Sequence, residues 1–320
     1  TSFSSADSDI YGVDLVGRRI TKKTRRVTLS QDAGLAGVSP KSVKIEVTTV
    51  AAATPPSSVF HQHRYAFEGN DINHLGLGTS DCKDIVLSFY AKASTTGTLP
   101  FGLTNSAGSR SYANTFDITE ANTWKRYVYK VPPVTDGSWG SGTSSGLELR
   151  LGFEYGSNYT GATAGQWSSM TGFANFVPTY TNALASTLNA TLNITGLQLE
   201  VGDTATPFEH RSYGDELARC QRYYRKVKAR SADGGFESTT AAVIYGQHPV
   251  TMRAAPTITR LAQLSLGTIQ GSRVDNGSLS FYSGSIDGWG VAFTCTSSVT
   301  EIGLPAGLQN DDTVDLDAEL

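Results

Sequence analysis

The stretch that decides the fold is residues 194–224, which read ITGLQLEVGDTATPFEHRSYGDELARCQRYY. It begins inside a segment, residues 192–201, in which apolar and polar residues alternate except for a slip at Gly196. Such alternation predicts a half-buried β-strand with a β-bulge at the glycine. A Gly-Asp pair and Pro207 follow the segment, and they stop the strand.

The second part of the stretch predicts a short helix over residues 215–225. Acidic residues at its start and arginines toward its end complement the helix dipole. Leu217, Cys220 and Tyr224 recur at the spacing of one helix face. A strand therefore closes one domain and a helix opens the next, which predicts domains of residues 1–211 and 212–320.

Outside this stretch, the clearest elements are segments in which apolar and polar residues alternate with a period of two. They predict half-buried strands over residues 43–47, 59–68, 85–93, 124–131 and 147–155. The residues of the last segment that are expected to face inward are Leu147, Leu149, Leu151 and Phe153. About eight to ten strands at this spacing predict an all-β fold, with a jelly-roll sandwich over residues 1–211 and a smaller antiparallel β-domain after the helix.

The composition excludes several classes of function. Of the 320 residues, 39% are hydrophobic and 17% are charged, and the net charge of −3 leaves no basic excess to neutralise phosphates. Nucleic acid is therefore not an expected partner. No apolar run reaches the roughly 18 residues of a membrane span, so membrane insertion is not expected. The cysteines, Cys82, Cys220 and Cys295, are widely spaced and odd in number, which predicts free thiols.

Two long loops, residues 135–146 and 156–182, are the expected place of a functional site, because loops of this length are often functional. Sugar binding needs flat aromatic faces for the apolar CH groups and polar side chains for the hydroxyls. The residues that supply this chemistry, on loops expected at one end of the sandwich, are Trp139, Tyr155, Tyr159, Trp167, Asp136, Glu154 and Asn158. An alternative for Trp167 is a core position beneath its loop.

No motif of a known catalytic centre is present, and no enzymatic activity is predicted. A glycosidase needs two carboxylates about 5–10 Å apart. Glu148 and Glu154 are six residues apart on one strand, hence about 20 Å apart, which is too far. Asp136 and Glu154 could still come close enough to form such a pair. His61 and His63 point the same way in their strand, as two metal ligands would, but no third ligand accompanies them.

The deciding stretch is also very similar to a signature of bacteriophage tail-fibre and related virion-fibre proteins. Residues 197–224, LQLEVGDTATPFEHRSYGDELARCQRYY, carry the resemblance. Residues 87–93 (LSFYAKA), 122–126 (NTWKR) and 252–257 (MRAAPT) resemble further segments of these proteins. The resemblance implies a carbohydrate-binding-module-like sandwich joined to a C-terminal β-domain, in a protein made in the bacterial cytoplasm and carried on the virion.

For function, the resemblance implies a non-enzymatic tail fibre, head fibre or spike that binds host surface polysaccharide. It also implies other virion proteins as partners and a homotrimer, and it allows a structural calcium ion but no other cofactor. Two other readings stay open: a structural adaptor or capsid decoration protein, and a glycan-degrading tailspike.

Residues next to the predicted domain boundary and in the second domain are expected at the domain junction and in the oligomer. Arg211, Arg222 and Arg253 could be ligand groups, but the resemblance favours pairing with carboxylates that fixes the two domains. The carboxylates concerned are Glu209, Asp215 and Glu216. Trp289 is expected on a hairpin tip, either as a trimer contact, which we favour, or as a contact to the receptor. Phe236 and Tyr245 are expected to join it in the interface.

Overall fold

A computed structural model describes residues 12–13, 19–22, 27–50, 55–181, 184–228, 233–260, 265–268, 273–295, 305–309 and 313–318. The chain divides into two compact units, Thr1–His210 and Arg211–Glu319.

The first unit is a sandwich of two antiparallel sheets. The strands, in chain order, are β1 (Gly12–Val13), β2 (Arg19–Lys22), β3 (Val27–Leu35), β4 (Ser39–Val47), β5 (Phe60–Glu68), β6 (Ile85–Ala93), β7 (Gly97–Thr104), β8 (Arg110–Ile118), β9 (Lys125–Val131), β10 (Ser145–Tyr155), β11 (Gln166–Ser169) and β12 (Thr191–Val201). A short helix, α1 (Gly69–Ile72), and a 3-10 turn, Asn73–Leu75, follow β5. The seven-stranded sheet has the order β1-β2-β5-β10-β7-β8-β11, and the five-stranded sheet has the order β3-β4-β12-β6-β9.

The core lies between the two sheets and is formed by the alternate apolar residues of their strands. All four inward residues predicted for β10, Leu147, Leu149, Leu151 and Phe153, are buried there. Phe89 of β6 meets them from the other sheet, among the rings of β7, β8 and β9. The period-two pattern therefore gave the correct inner face.

Strand β12 is the central strand of the five-stranded sheet and contains the predicted bulge. Its pairing with β6 shifts between Thr195 and Gln198. Gly196 takes φ of +59° at this point, a conformation that costs glycine little. The bulge at Gly196 is therefore confirmed.

The long loop after β10 returns along the outer face of the seven-stranded sheet. Ser111 of β8 donates from Oγ to the carbonyl oxygen of Phe176, at 2.7 Å, and the Phe176 ring is buried. The ring lies 5.1 Å from that of Tyr155. The end of the loop nearest β11 reaches the turn between β7 and β8, where Met170 N donates to Ser109 O at 3.0 Å. This loop therefore forms a covering layer on the sheet.

The second unit consists of one helix and nine described strands. They are α2 (Tyr213–Gln221), β13 (Tyr224–Lys228), β14 (Asp233–Ser238), β15 (Ala241–Gln247), β16 (Thr257–Arg260), β17 (Ser265–Thr268), β18 (Arg273–Gly284), β19 (Gly288–Cys295), β20 (Pro305–Gln309) and β21 (Thr313–Asp317). Strands β13, β21 and β16 form one sheet, and the other six close into a barrel. The predicted all-β class, a sandwich followed by a short helix and a smaller antiparallel β-domain, is confirmed.

Helix α2 begins two residues before the predicted start and ends four residues before the predicted end. Ser212 is its N-cap, and the Ser212 hydroxyl accepts a hydrogen bond from Asp215 N at 3.2 Å. Tyr224 has already entered β13, where it pairs with Asp317. No residue of α2 is buried, and Leu217 of the predicted apolar face is exposed.

Replacing Ser212 with alanine is expected to destabilise α2 by about 1 kcal/mol, because one N-terminal amide of the helix loses its acceptor. Hydrogen exchange of the α2 amides should then become about fivefold faster. Ser212→Asp, which keeps a capping oxygen, is the control and should exchange as the wild type does. Equal exchange rates in Ser212→Ala would contradict the capping role.

Two residues expected in the oligomer interface are instead buried inside the second unit. Trp289 lies in β19 and is 2% exposed, because its ring packs over β15 of the barrel. Phe236 of β14 is buried as well, whereas Tyr245 is exposed. These positions correct the expectation that Trp289 occupies an exposed hairpin tip.

The arginines expected at the junction make contacts inside the second unit. Arg211 Nη1 lies 3.7 Å from Glu216 Oε2, as predicted, but Asp215 pairs with Arg219. Arg253 donates from Nε to Ala318 O at 2.8 Å, and its amide donates to Arg222 O at 2.8 Å.

Two further features concern the described residues only. Cys82 and Cys220 are free thiols. None of the described helices is long and apolar enough to cross a membrane.

Candidate functional site

The seven residues predicted to bind sugar do not form one site, because they lie at two opposite ends of β10. Asp136 and Trp139 belong to the loop that leads into Ser145, the first residue of β10, and Trp167 lies near them on β11. Tyr155 is the last residue of β10, and the other three lie close to it in sequence. Since β10 has 11 residues, the two ends are about 30 Å apart.

We call the first group, with Arg110, the tryptophan end, and the second group the tyrosine end. The tryptophan end is Arg110, Asp136, Trp139 and Trp167. The tyrosine end is Glu154, Tyr155, Asn158 and Tyr159.

Tyr155 is a core residue of the tyrosine end and not a sugar contact. It is 2% exposed, and its hydroxyl donates to Gln62 Oε1 at 2.9 Å. Its ring lies flat over Gly152, where an added Cβ would be 1.8 Å from the ring. Burial raises the pKa of Tyr155 well above 10.0. The prediction for Tyr155 is therefore wrong, since the returning loop covers the ring.

Glu154 is also buried, and its partner is a histidine. Glu154 Oε2 lies 2.5 Å from His61 Nδ1, and the His61 ring stacks on Phe153 at 5.6 Å. The carboxylate is therefore not presented to a ligand, and the prediction for Glu154 is wrong. In the part of the chain that the structure describes, no three metal-ligating residues come together, around His61 and His63 or elsewhere.

Tyr159 and Asn158 are the accessible residues of the tyrosine end. The half-buried Tyr159 ring packs edge-on against Phe60 at 5.1 Å, and its hydroxyl donates to Ser58 O at 3.3 Å. The Asn158 side chain is exposed, and its backbone amide donates to Ser57 O at 3.1 Å. With one half-covered ring and one exposed amide, the tyrosine end is a poorer candidate for sugar binding than the tryptophan end.

The tryptophan end has two half-buried indole rings in fixed orientation. Trp139 and Trp167 meet edge to face, with centroids 5.5 Å apart and planes at 87°. Trp139 Nε1 donates to Asp136 O at 3.1 Å, and Trp167 Nε1 donates to Pro132 O at 2.7 Å. Both rings also pack against the sandwich core, so the alternative core position of Trp167 is correct in part.

A bidentate ion pair lies beside the indoles. Arg110 donates from Nε to Asp136 Oδ1 at 2.6 Å and from Nη2 to the other carboxylate oxygen. These hydrogen bonds lower the pKa of Asp136 below 3.8, so the exposed carboxylate stays ionised. Arg110 Nη1 also donates to Ser169 Oγ at 2.9 Å, which ties the pair to β11.

Buried Asn105, in the turn between β7 and β8, holds this end together. Its Oδ1 accepts from the backbone amides of Ser109 and Arg110, and its Nδ2 donates to Ser138 O at 2.9 Å. The turn thus fixes both Arg110 and the loop that carries Trp139. Neither Asn105 nor Arg110 was predicted, because their partners are about 25 to 35 residues away in sequence.

A buried ionic cluster continues from this end along the outer face of the seven-stranded sheet. Glu148 accepts from Arg64 Nη2 at 2.5 Å and from Arg150, whose Nε donates to Thr104 Oγ1 at 3.0 Å. Burial disfavours the Glu148 carboxylate, but the two arginines outweigh it and lower its pKa below 4.5. We call Arg64, Glu148 and Arg150 the arginine cluster.

Phe173 covers the arginine cluster. Its ring centroid lies 4.2 Å from the Arg150 guanidinium, a cation–π contact. Its φ of +65° is uncommon for a bulky residue and costs on the order of 1–3 kcal/mol. The ring also contacts the β7–β8 turn, since a Cβ at Gly108 would be 2.9 Å from it. Contacts on both sides thus hold Phe173 in this conformation.

Comparisons with known proteins identify similar folds only. No family model and no curated protein matches the sequence. Three solved structures with similar folds are the enzymatically active domain of tailspike protein 4 of bacteriophage CBA120, an exo-β-agarase and a CBM4 module. Their sequence identities to this chain are 11%, 10% and 11%, and their TM-scores are 0.33, 0.32 and 0.28.

The matches differ in how much of each protein they cover. They include 59%, 63% and 59% of this chain, in the same order. This chain spans 20% of the tailspike structure, 25% of the agarase and 80% of the CBM4 module.

Proposed function

We propose that the sandwich binds polysaccharide at the tryptophan end and that the protein is a virion fibre that attaches a phage to its host. The observation that carries the binding proposal is the pair of fixed, half-exposed indoles beside the bidentate Arg110–Asp136 pair. Flat apolar faces next to charged hydrogen-bonding groups are the chemistry that a sugar ring requires.

Hydrogen bonds within the protein hold the side chains of the tryptophan end. Both indole N–H groups are already bonded to backbone carbonyls, and Arg110 is bonded to Asp136 and Ser169. A rigid surface loses little conformational entropy on binding, which favours the weak contacts that a sugar makes. Asp136, whose side chain is 61% exposed, keeps lone pairs for sugar hydroxyls.

The virion role rests on the signature of residues 197–224. On a fibre, several copies of a weak site act together, because linked sites rebind at high effective concentration. A homotrimer would supply three sites per fibre.

The other readings make different demands on the tryptophan end. A structural adaptor would cover Trp139 with a virion protein. A glycan-degrading tailspike needs a carboxylate pair about 5–10 Å apart. Asp136 pairs with Arg110 at one end of β10, whereas Glu154 pairs with His61 at the other. We therefore favour binding without catalysis.

The test is binding of the full chain to an array of purified bacterial surface polysaccharides. Trp139→Ala and Asp136→Ala should each weaken binding to the recognised polysaccharide by about tenfold or more, as for a hot-spot residue. Asp203→Ala is the matched control, because Asp203 is an exposed carboxylate next to a lysine elsewhere on the sandwich. Its affinity should equal that of the wild type.

Two outcomes would overturn the proposal. If the folded wild type binds none of the polysaccharides, the adaptor reading replaces it. If binding occurs but both variants retain full affinity, the site lies elsewhere on the chain.

A further inference from the structure

The outer face of the five-stranded sheet carries neighbouring cationic and aromatic side chains, together with one asparagine and one aspartate. Residues that pair directly on neighbouring strands share one face of a sheet. Asn193 pairs with Lys44 of β4 and with Lys92 of β6, so these three side chains lie side by side. We call the surface the Trp124 face; it consists of Asp32, Lys44, Tyr90, Lys92, Trp124, Arg126 and Asn193.

Two cations of the Trp124 face rest on aromatic rings. Lys92 Nζ lies 5.1 Å from the Trp124 centroid, and the Arg126 guanidinium lies 5.8 Å from that of Tyr90. All four side chains are half-buried. Among the described residues, neither Lys92 nor Arg126 has a carboxylate within 4.0 Å, whereas Lys44 pairs with Glu46 at 2.7 Å. Neither cation is therefore ion-paired at contact distance, although Lys92 attracts the Asp32 carboxylate and Arg126 attracts that of Glu200 over a longer distance.

Hydrogen bonds fix the floor of this face. Buried Asn193 donates from Nδ2 to Asp32 Oδ2 at 3.0 Å and to Ser42 Oγ at 3.1 Å. Arg126 donates from Nη2 to Thr206 O and to Ser88 Oγ, yet its buried Nε has no hydrogen-bond partner in the described part of the chain. A buried donor without a partner is rare in native proteins.

We propose that the Trp124 face is a second glycan-binding surface, selective for polysaccharides that contain uronic acids. Lys44 and Lys92 are two strands apart, about 10 Å, and Asn193 lies between them. A sugar chain across the strands places a carboxylate on Lys92, which makes no ion pair at contact distance, and a hydroxyl on the half-buried Asp32, while Lys44 stays paired with Glu46. Trp124 holds the Lys92 ammonium and offers its remaining surface to the CH groups.

This surface is independent of the tryptophan end. It belongs to the outer side of the five-stranded sheet, whereas Trp139 and Trp167 close the edge of the sandwich beside the seven-stranded sheet. Each copy of the chain would thus hold two polysaccharide strands, which raises the avidity of a fibre. A purely solvated sheet face, by contrast, would show no preference among polysaccharides of equal length.

The experiment uses the full chain with polygalacturonate and with the same polymer after reduction of its carboxyls to alcohols. Affinity electrophoresis should show binding of the first polymer and not of the second. Lys92→Ala and Trp124→Ala should weaken the binding by about fivefold or more. Lys92→Gln, which keeps the chain length without the charge, should behave as Lys92→Ala.

One control variant separates this site from a general effect of charge. Lys83→Ala removes an exposed lysine off the face and should leave the affinity unchanged. No binding of polygalacturonate by folded wild type, equal binding of the reduced polymer, or an equal loss in Lys83→Ala would overturn the proposal.

Discussion

Replacing Glu148 with alanine is expected to lower the free energy of unfolding of the sandwich by about 3–5 kcal/mol. The carboxylate is buried and binds both Arg64 and Arg150, so its removal leaves two partly buried guanidinium groups without their shared anion. Urea unfolding followed by tryptophan fluorescence measures the change, because Trp124, Trp139 and Trp167 all lie in the sandwich.

The control for Glu148→Ala is Glu46→Ala, which removes a half-exposed carboxylate paired with Lys44. Exposed pairs contribute about 0–1 kcal/mol, so this variant should unfold near the wild-type midpoint. Equal losses in the two variants would show that the arginine cluster adds no stability of its own.

The same carboxylate predicts a dependence on pH. Because the arginines lower the pKa of Glu148 in the folded protein below 4.5, its stabilising effect is complete above that pH and is lost as the pH falls through the folded-state pKa. The stability of the wild type should therefore fall more steeply below pH 4.5 than that of Glu148→Gln.

Replacing Phe176 with alanine is the second change with a large expected effect, a loss of about 3–5 kcal/mol. The ring is buried under the returning loop, where it packs on Tyr155 and Phe173 and lies 5.8 Å from the Arg150 guanidinium. Its removal opens a cavity and frees the loop from the sheet. Urea unfolding and the rate of proteolysis within residues 156–182 should both report the change.

Phe173→Ala is the matched control for Phe176→Ala. The ring is half-buried, and alanine also tolerates φ of +65° poorly, so the backbone cost remains while the ring contact is lost. The expected loss is about 1–2 kcal/mol. If Phe176→Ala cost no more than this, the loop would be held by its backbone hydrogen bonds and not by the buried ring.

The fold was largely predictable because its main signals are local. The alternation of apolar and polar residues in 147–155 correctly predicted which face of β10 is buried. Its interruption at Gly196 correctly predicted the β-bulge in β12. The helix bounds were less accurate, since the prediction overlooked the Ser212 cap.

The candidate site was less predictable because it depends on contacts between distant segments. Tyr155 and Glu154 have the chemistry of sugar contacts, but the loop after β10 covers the Tyr155 ring, and His61 contacts the buried Glu154 carboxyl group. Arg110 pairs with Asp136, which is 26 residues away in sequence, so no local pattern indicates the pair. Arg64 and Arg150 lie on different strands, and only the pairing of β5 with β10 places them around one carboxylate.

The position of β12 affects when the protein can fold during its synthesis. This strand is inserted between β4 and β6, with Leu192 opposite both Ile45 and Ala93, so the five-stranded sheet is incomplete until the last segment of the sandwich has left the ribosome. At about 5–20 residues per second, β4 waits on the order of ten seconds for its neighbour. During that interval β4 and β6 lack the strand that pairs with both of them, and unpaired strand edges can pair with those of other nascent copies.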